Sequence, residues 1–294
     1  MRRILVTGGN KGIGLAIVTA ILSEHEDSFV FLGSRDLGRG QAARQRLVET
    51  QPTWADRLDA AQLDVSNDVS VNDAVEHIRR RFPHDETPVY AVVNNAGVGG
   101  ASLTLANVFA VNTVGVRRVC EAILPLLDPE KGRIVNVTSA AGPSFVASCS
   151  AERQRFLTDP GIDWPRLEAF MDECLAVDGD KAAFAALGLG DGNAYGLSKA
   201  CSNSYTLCLA RQHPKLRINA CTPGFIETDM TRGYAASQGK TPAELGMKPA
   251  SEGARPAMFL LFGEPEGNGR YYGSDALRSP LDRYRSPGTE PYRG

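Results

Sequence analysis

A glycine-rich octet, Thr7-Gly-Gly-Asn-Lys-Gly-Ile-Gly14, sits between two apolar stretches and narrows the choice of fold more than any other part of the chain. Arg3 to Thr7 reads as a short buried strand, and Leu15 to Leu22 as a helix with one apolar face. Glycines at 8, 12 and 14 let the backbone turn tightly, approach a pyrophosphate closely and aim helix N-terminal amides at its charge. Such an octet is common in isolation. Placed between a first strand and a first helix, it points to a dinucleotide-binding βα turn, with Gly8, Asn10, Lys11, Gly12, Ile13 and Gly14 as the binding residues.

The rhythm set by that turn continues. Ser28 to Arg35 reads as a second strand, and its end falls where an adenosine ribose would sit. A carboxylate there suits a 2′-hydroxyl, whereas a 2′-phosphate calls for a cation. The strand closes on Gly33-Ser34-Arg35, with Asp36 only afterwards; Arg35 and Lys11 therefore read as a phosphate clamp, favouring NADP. A helical stretch over 39–50, a strand over 58–64 and a helix over 68–81 follow. Asp64 and Val65 close the third strand on the cofactor side. A fourth strand over 89–93 runs into Asn94-Asn-Ala-Gly97, where Asn94, Ala96 and Gly97 suit close backbone approach. The alternation predicts an α/β fold: one doubly wound, Rossmann-type parallel sheet with right-handed crossovers, spanning residues 1–294 as a single domain.

Residues 103–127 read as one long helix carrying Asn112, a mediocre helix-interior residue that suggests a local role. The strand over 133–138 delivers Ser139 at its carboxyl end, the side on which ligands bind in open parallel sheets. From 140 to 193 the rhythm breaks. This segment reads as a helical insertion folded over the upper edge of the sheet, with a helix over 164–177 that places Leu167, Phe170, Met171, Cys174 and Leu175 on one face. The next helix, 194–212, carries Tyr195 and Lys199 one turn apart on the same face. An ammonium beside a phenol lowers the phenol's pKa from about 10, which would make Tyr195 a usable acid near neutral pH. A sixth strand over 216–221 ends in Thr222-Pro-Gly-Phe-Ile-Glu-Thr228; Pro223 and Gly224 enforce a turn, and Ile226 and Thr228 face the cofactor. A loop over 233–240, a helix over 251–262, a strand over 269–273 and an unassignable tail from Ser274 complete the chain.

Composition removes other function classes. With 43% apolar residues the 294-residue chain can build a large core, and a net charge of −2 without charge blocks predicts no nucleic-acid or membrane partner. The six cysteines lack any Cys-x-x-Cys pair and read as free thiols in a reducing compartment. Met1 to Val6 enters the first strand pattern directly, leaving no room for a signal peptide, and no apolar run nears the roughly 20 residues of a bilayer span. A soluble cytoplasmic protein is expected. His25, His77, His84 and His213 all fall outside the motifs, against a zinc site or a Ser-His hydrolase, and no metal is expected.

Taken in order, the glycine loop, Asp64, Asn94-Asn-Ala-Gly97, Asn112, Ser139, Tyr195-x-x-x-Lys199 and Pro223-Gly224 resemble the motif set of the short-chain dehydrogenase/reductases. Gly8 to Val18, Ser34 to Ala43 and the long separation of Ser139 from Tyr195 are most similar to the monomeric NADPH-dependent carbonyl reductases. The resemblance implies reduction of a small-molecule carbonyl by hydride transfer from NADPH. It assigns Tyr195 as general acid, Ser139 as anchor of the carbonyl oxygen, Lys199 as partner of the nicotinamide ribose and Asn112 as holder of a water that resupplies protons. It also implies a monomer, with the insertion packed on the helices that otherwise build the family's oligomers and its apolar face shielding the hydride path. A biosynthetic reductase for one terpenoid or steroid ketone is the alternative; an NADP-sensing regulator without turnover is a further one. The segment between Gly97 and Asn112 is shorter than in those carbonyl reductases, and Thr222 stands where they often carry cysteine.

Overall fold

The computed structural model describes residues 1–100, 103–190 and 192–294; Ala101 and Ser102, in the shortened segment before Asn112, and Asp191, in the insertion, lie outside the described residues. The first half alternates as expected: β1 (Arg2–Val6), α1 (Gly12–Glu24), β2 (Ser28–Ser34), α2 (Leu37–Thr50), β3 (Leu58–Gln62), α3 (Asp68–Arg81) and β4 (Ala91–Asn94). β2 is buried along its whole length, as a parallel strand covered on both faces must be. Then come α4 (Leu105–Asn112), α5 (Val114–Ile123) and β5 (Arg133–Val137), followed by α6 (Ala141–Ser148), α7 (Ala151–Leu157), α8 (Trp164–Leu175) and α9 (Lys181–Ala186). The chain closes with α10 (Ala194–Gln212), β6 (Arg217–Cys221), α11 (Asp229–Ser237), α12 (Ala250–Phe262), β7 (Tyr271–Tyr272) and β8 (Arg278–Ser279).

One eight-stranded sheet has the order β3-β2-β1-β4-β5-β6-β7-β8, parallel throughout except for the antiparallel β7–β8 pair. Strand order reverses between β1 and β4, which opens a crevice at their carboxyl ends. Apolar side chains form a core on each face of the sheet, one built with α3, α4, α5, α8 and α10, the other with α1 and α12.

Four features correct or complete the sequence reading. Residues 103–127 form two helices rather than one: Thr113, at φ −122° and ψ −62°, breaks the run. Its hydroxyl donates to the Ser198 carbonyl (3.0 Å), and the Asn112 carbonyl accepts from the Ser202 hydroxyl, so α10 takes up groups that a continuous helix would use. Residues 233–237 are helical, not loop, because Thr228 and Thr231 form a reciprocal capping box that starts α11. The tail is ordered, with β8 paired to β7, and the buried Arg285 guanidinium forms an ion pair with Asp275 and bonds the Ser279 hydroxyl (2.9 Å). That clip seats Ser274 against Gly224, beside the turn after β6.

The fourth feature is the insertion. Leu167, Phe170, Met171 and Cys174 are buried as the helical spacing predicts, but α8 lays them against α10 and α4. Trp164 stacks edge-on to Tyr205 of α10 at 5.6 Å. The apolar face therefore thickens the core behind the catalytic helix; it does not cover the crevice.

Candidate active site

The N-terminus of α1 faces the crevice. Its N-cap residue, Lys11, makes no side-chain cap, and no acidic residue occupies the first turn, so the amides that open the helix remain available to an anion. Gly8 and Gly12 hold φ of +63° and +56°, a conformation that favours glycine, and a Cβ on Gly14 would collide with the Gly8 carbonyl oxygen. Thr7 fastens the loop to the end of β4: its hydroxyl accepts from the Asn95 and Ala96 amides at 3.0 and 2.9 Å, and the Asn95 side chain donates to the Thr7 carbonyl at 3.0 Å. Motif spacing does not distinguish Asn95 from Asn94. The strand does. Asn94, the last residue of β4, turns its side chain inward to donate to Asn136 (2.9 Å) and Cys120 (3.2 Å) in the core, so that side chain does not line the crevice; Asn95 lines it.

A cavity of about 1440 Å³ runs from this loop to Tyr234. It is lined by Gly8, Asn10, Lys11, Gly12, Ile13, Gly14, Arg35, Asp64, Val65, Ala96, Gly97, Ser139, Tyr195, Lys199, Pro223, Gly224, Ile226 and Thr228. Sequence reasoning missed Arg39 at the adenosine end and Val98, Phe225, Met230 and Tyr234 at the other. Arg39 lies one turn into α2, a helical position visible in the sequence; Met230 and Tyr234 sit on α11, whose second half the sequence reads as loop. Among the described residues no group of three or more His, Cys, Asp or Glu could hold a metal, and no helix is long and apolar enough to cross a membrane.

The inner wall carries the reactive groups. Asn193 caps α10 by accepting from the Gly196 amide (2.8 Å), which starts the helix so that Tyr195 lies in its first turn and Lys199 in the next. Lys199 is 4% exposed and donates to the Val137 carbonyl at 3.2 Å; its Nζ lies 5.7 Å from the centre of the Tyr195 ring. Burial lowers its pKa to about 8, with Cys221 opposing the shift. The expected lowering of the Tyr195 pKa does not occur in the protein alone: burial pushes the phenol up, and the neighbouring Ser139 hydroxyl offsets this only partly. One of the three N–H groups of the lysine goes to a backbone carbonyl. Ser139 is held by the Ala141 amide, which donates to its Oγ at 3.2 Å.

Asn112 lies outside the cavity wall, just behind Gly97, where a Cβ would stand 3.3 Å from Asn112 Oδ1 and 3.4 Å from Lys199 Nζ. Its side chain is spent on structure: Oδ1 accepts from the Val98 amide (2.9 Å), and Nδ2 donates to the Val98 carbonyl (2.9 Å) and the Ser198 hydroxyl (3.0 Å). The side chain thus clamps the loop after β4 to α10. Asn112→Ala removes three hydrogen bonds, two to the part-buried Val98 backbone and one to the buried Ser198 hydroxyl, and should destabilise the fold by roughly 2–4 kcal/mol, read as a lower denaturant midpoint. An unchanged midpoint would contradict the clamp.

A model of the short chain dehydrogenase family matches residues 2–151. Over 280 residues the chain is 32% identical to carbonyl reductase (NADPH) 1 of Homo sapiens, covering 90% of this chain and 92% of that one. It is 30% identical over 289 residues to (+)-neomenthol dehydrogenase of Arabidopsis thaliana, covering 85% and 93%. Among solved structures, that of salutaridine reductase from Papaver somniferum superposes with a TM-score of 0.74 at 26% identity, covering 92% of this chain and 99% of that one.

Proposed function

The chain belongs to the short-chain dehydrogenase family, a family of oxidoreductases that use nicotinamide cofactors, and from that premise we propose that it reduces a ketone, aldehyde or quinone to the alcohol with NADPH. The observation that carries this reading is the placement of Tyr195, Ser139 and Lys199 on the inner wall of the same cavity whose far end is the open N-terminus of α1. The glycine loop fits a pyrophosphate, since Gly8 and Gly12 hold positive φ and Gly14 leaves no room for a Cβ, which keeps the backbone bare where an anion would approach. When bound, the nicotinamide supplies the hydride. Tyr195 gives its proton to the carbonyl oxygen as general acid, and Ser139 donates a hydrogen bond to the same oxygen. Lys199 would hold the nicotinamide ribose. A regulator that only senses the cofactor is the weaker reading, because the site keeps the tyrosine, the serine and the lysine that turnover requires.

The adenosine end supports NADPH over NADH. Arg35 and Arg39 line the cavity without an ion-pair partner among the described residues. Asp36, the carboxylate that could serve a ribose 2′-hydroxyl, caps α2 by accepting from the Arg39 amide at 2.8 Å. Arg35→Ala should therefore weaken NADPH relative to NADH by about 10- to 150-fold, the loss of one charged contact worth roughly 1.5–3 kcal/mol. The ratio of kcat/KM with the two cofactors reads this directly, and an unchanged ratio would remove Arg35 from the phosphate site.

At the other end Phe225, Met230 and Tyr234 are 43%, 41% and 53% exposed although apolar or aromatic, and they line the same cavity as Tyr195. This wall supports an apolar carbonyl substrate and gives weight to the second reading, a biosynthetic reductase for one terpenoid or steroid ketone, which the similarity to (+)-neomenthol dehydrogenase also favours. A monomer accords with α8 lying on α10 and α4. NADPH oxidation with a panel of quinones, aromatic aldehydes and cyclic ketones tests the proposal: turnover of several classes supports the broad reductase, one cyclic ketone alone supports the biosynthetic enzyme, and binding without turnover overturns both.

A further inference from the structure

Lys11, one half of the expected phosphate clamp, carries an ion pair of its own in this structure. Its Nζ donates to Asp229 Oδ2 at 2.7 Å, across the mouth of the cavity. Asp229 is the first residue of α11, and its other oxygen takes Arg232 at 3.3 Å. Close packing joins the same two elements: a Cβ on Gly12 would lie 3.5 Å from the methyl of Thr228. The residue after Asp229 is Met230, whose sulfur stands 3.3 Å from where a Cβ on Gly99 would meet the Tyr195 ring. The ion pair thus ties the glycine loop to the helix that walls the substrate end. Both partners are largely solvated, with side chains 63% and 61% exposed, so the link is weak and yields to a stronger anion.

We propose that Asp229 is a latch on Lys11 that the 2′-phosphate of NADPH opens and NADH leaves closed, making Asp229 a determinant of cofactor preference and of the freedom of α11. The proposal rests on the reading of the site as an NADPH site. One ammonium cannot satisfy a carboxylate and a phosphate equally; a dianionic phosphate with three acceptor oxygens displaces a single exposed carboxylate. Removing the carboxylate spares NADPH that competition. NADH, which lacks the 2′-phosphate, gains nothing from a freed Lys11 at that position.

The test is cofactor dissociation constants, measured by quenching of protein fluorescence, for wild type, Asp229→Asn, Lys11→Met and the double variant. Asp229→Asn should tighten NADPH about two- to fivefold, the worth of one exposed pair, and leave NADH unchanged; in the Lys11→Met background the Asp229→Asn effect should vanish. Hydrogen exchange of the 229–237 amides should be faster with NADPH bound than with NADH bound in wild type, and alike for the two cofactors in Asp229→Asn. Equal tightening of both cofactors would reduce Asp229 to a general field effect and overturn the latch, as would an Asp229→Asn effect that survives Lys11→Met. Failure of wild type to bind either cofactor is a separate outcome, which removes the NADPH reading itself.

Discussion

Tyr195→Phe is expected to lower kcat for carbonyl reduction by about 10²- to 10⁴-fold, the usual worth of a positioned general acid, while the dissociation constant for NADPH changes little. The substitution removes one hydroxyl and keeps the ring, which packs beside Gly99 and Met230. Ser139 and Lys199 keep their own partners, the Ala141 amide and the Val137 carbonyl, so the wall should not rearrange. The direction of the Tyr195 shift sharpens the expectation. Burial holds the phenol's pKa above its ordinary value, so the group is protonated throughout the neutral range and is an acid as it stands. For reduction this is the useful form, and kcat should not fall between pH 6 and pH 8 for want of a proton on Tyr195. For alcohol oxidation the phenolate is required, and that direction should accelerate as pH rises. Near-full reductive activity in Tyr195→Phe would remove the tyrosine from the chemistry.

How much of this was legible in the chain follows from what each feature depends on. The glycine octet, the strand-helix alternation and the Tyr195–Lys199 spacing are local, and they led to the observed sheet and to a cavity lined by nearly every expected residue. What sequence could not carry was the direction of individual side chains. Asn94 and Asn95 are adjacent and chemically identical; only the pleat of β4 sends one into the core and the other to the crevice. Asn112 looked like a functional polar residue inside a helix, whereas its neighbours in space, Val98 and Ser198, consume its hydrogen bonds. The pKa argument for Tyr195 failed for a related reason. Spacing puts an ammonium within reach of a phenol, but burial of both groups outweighs the pairing, and that balance belongs to the packed core. Met230 and Tyr234 are hidden from a sequence reading because α11 starts through a Thr-Thr capping box in a stretch where Gly233 and Ser237 suggest loop.

Lys199→Met is expected to make the protein more stable at neutral pH while lowering kcat/KM about 10- to 150-fold, as loss of a charged hydrogen bond to the ribose would. The two effects have one cause. Lys199 is almost wholly buried, and desolvation lowers its pKa from 10.5 to about 8. In the unfolded chain the group keeps its ordinary pKa. Below pH 8 it is protonated in both states, and the folded state bears the full cost of a buried ammonium, about 3 kcal/mol at about 1.4 kcal/mol per pKa unit. Between pH 8 and 10.5 the unfolded state binds more protons than the folded one, so wild-type stability rises with pH across that window as the cost is relieved. Methionine keeps most of the apolar stem and carries no charge, but leaves the Val137 carbonyl without its donor, a loss of about 1 kcal/mol. The net gain at pH 7 should be about 2 kcal/mol, and it should shrink and change sign as pH approaches 10.5. Urea unfolding of both proteins at pH 7 and pH 10 measures this; a variant less stable than wild type at pH 7 would show that the ammonium is better compensated than its burial indicates. Retained activity in the same variant would separate Lys199 from the ribose site. The buried charge that the site needs is thus the one the fold would be more stable without, which is why the outcome at neutral pH has opposite signs for stability and for turnover.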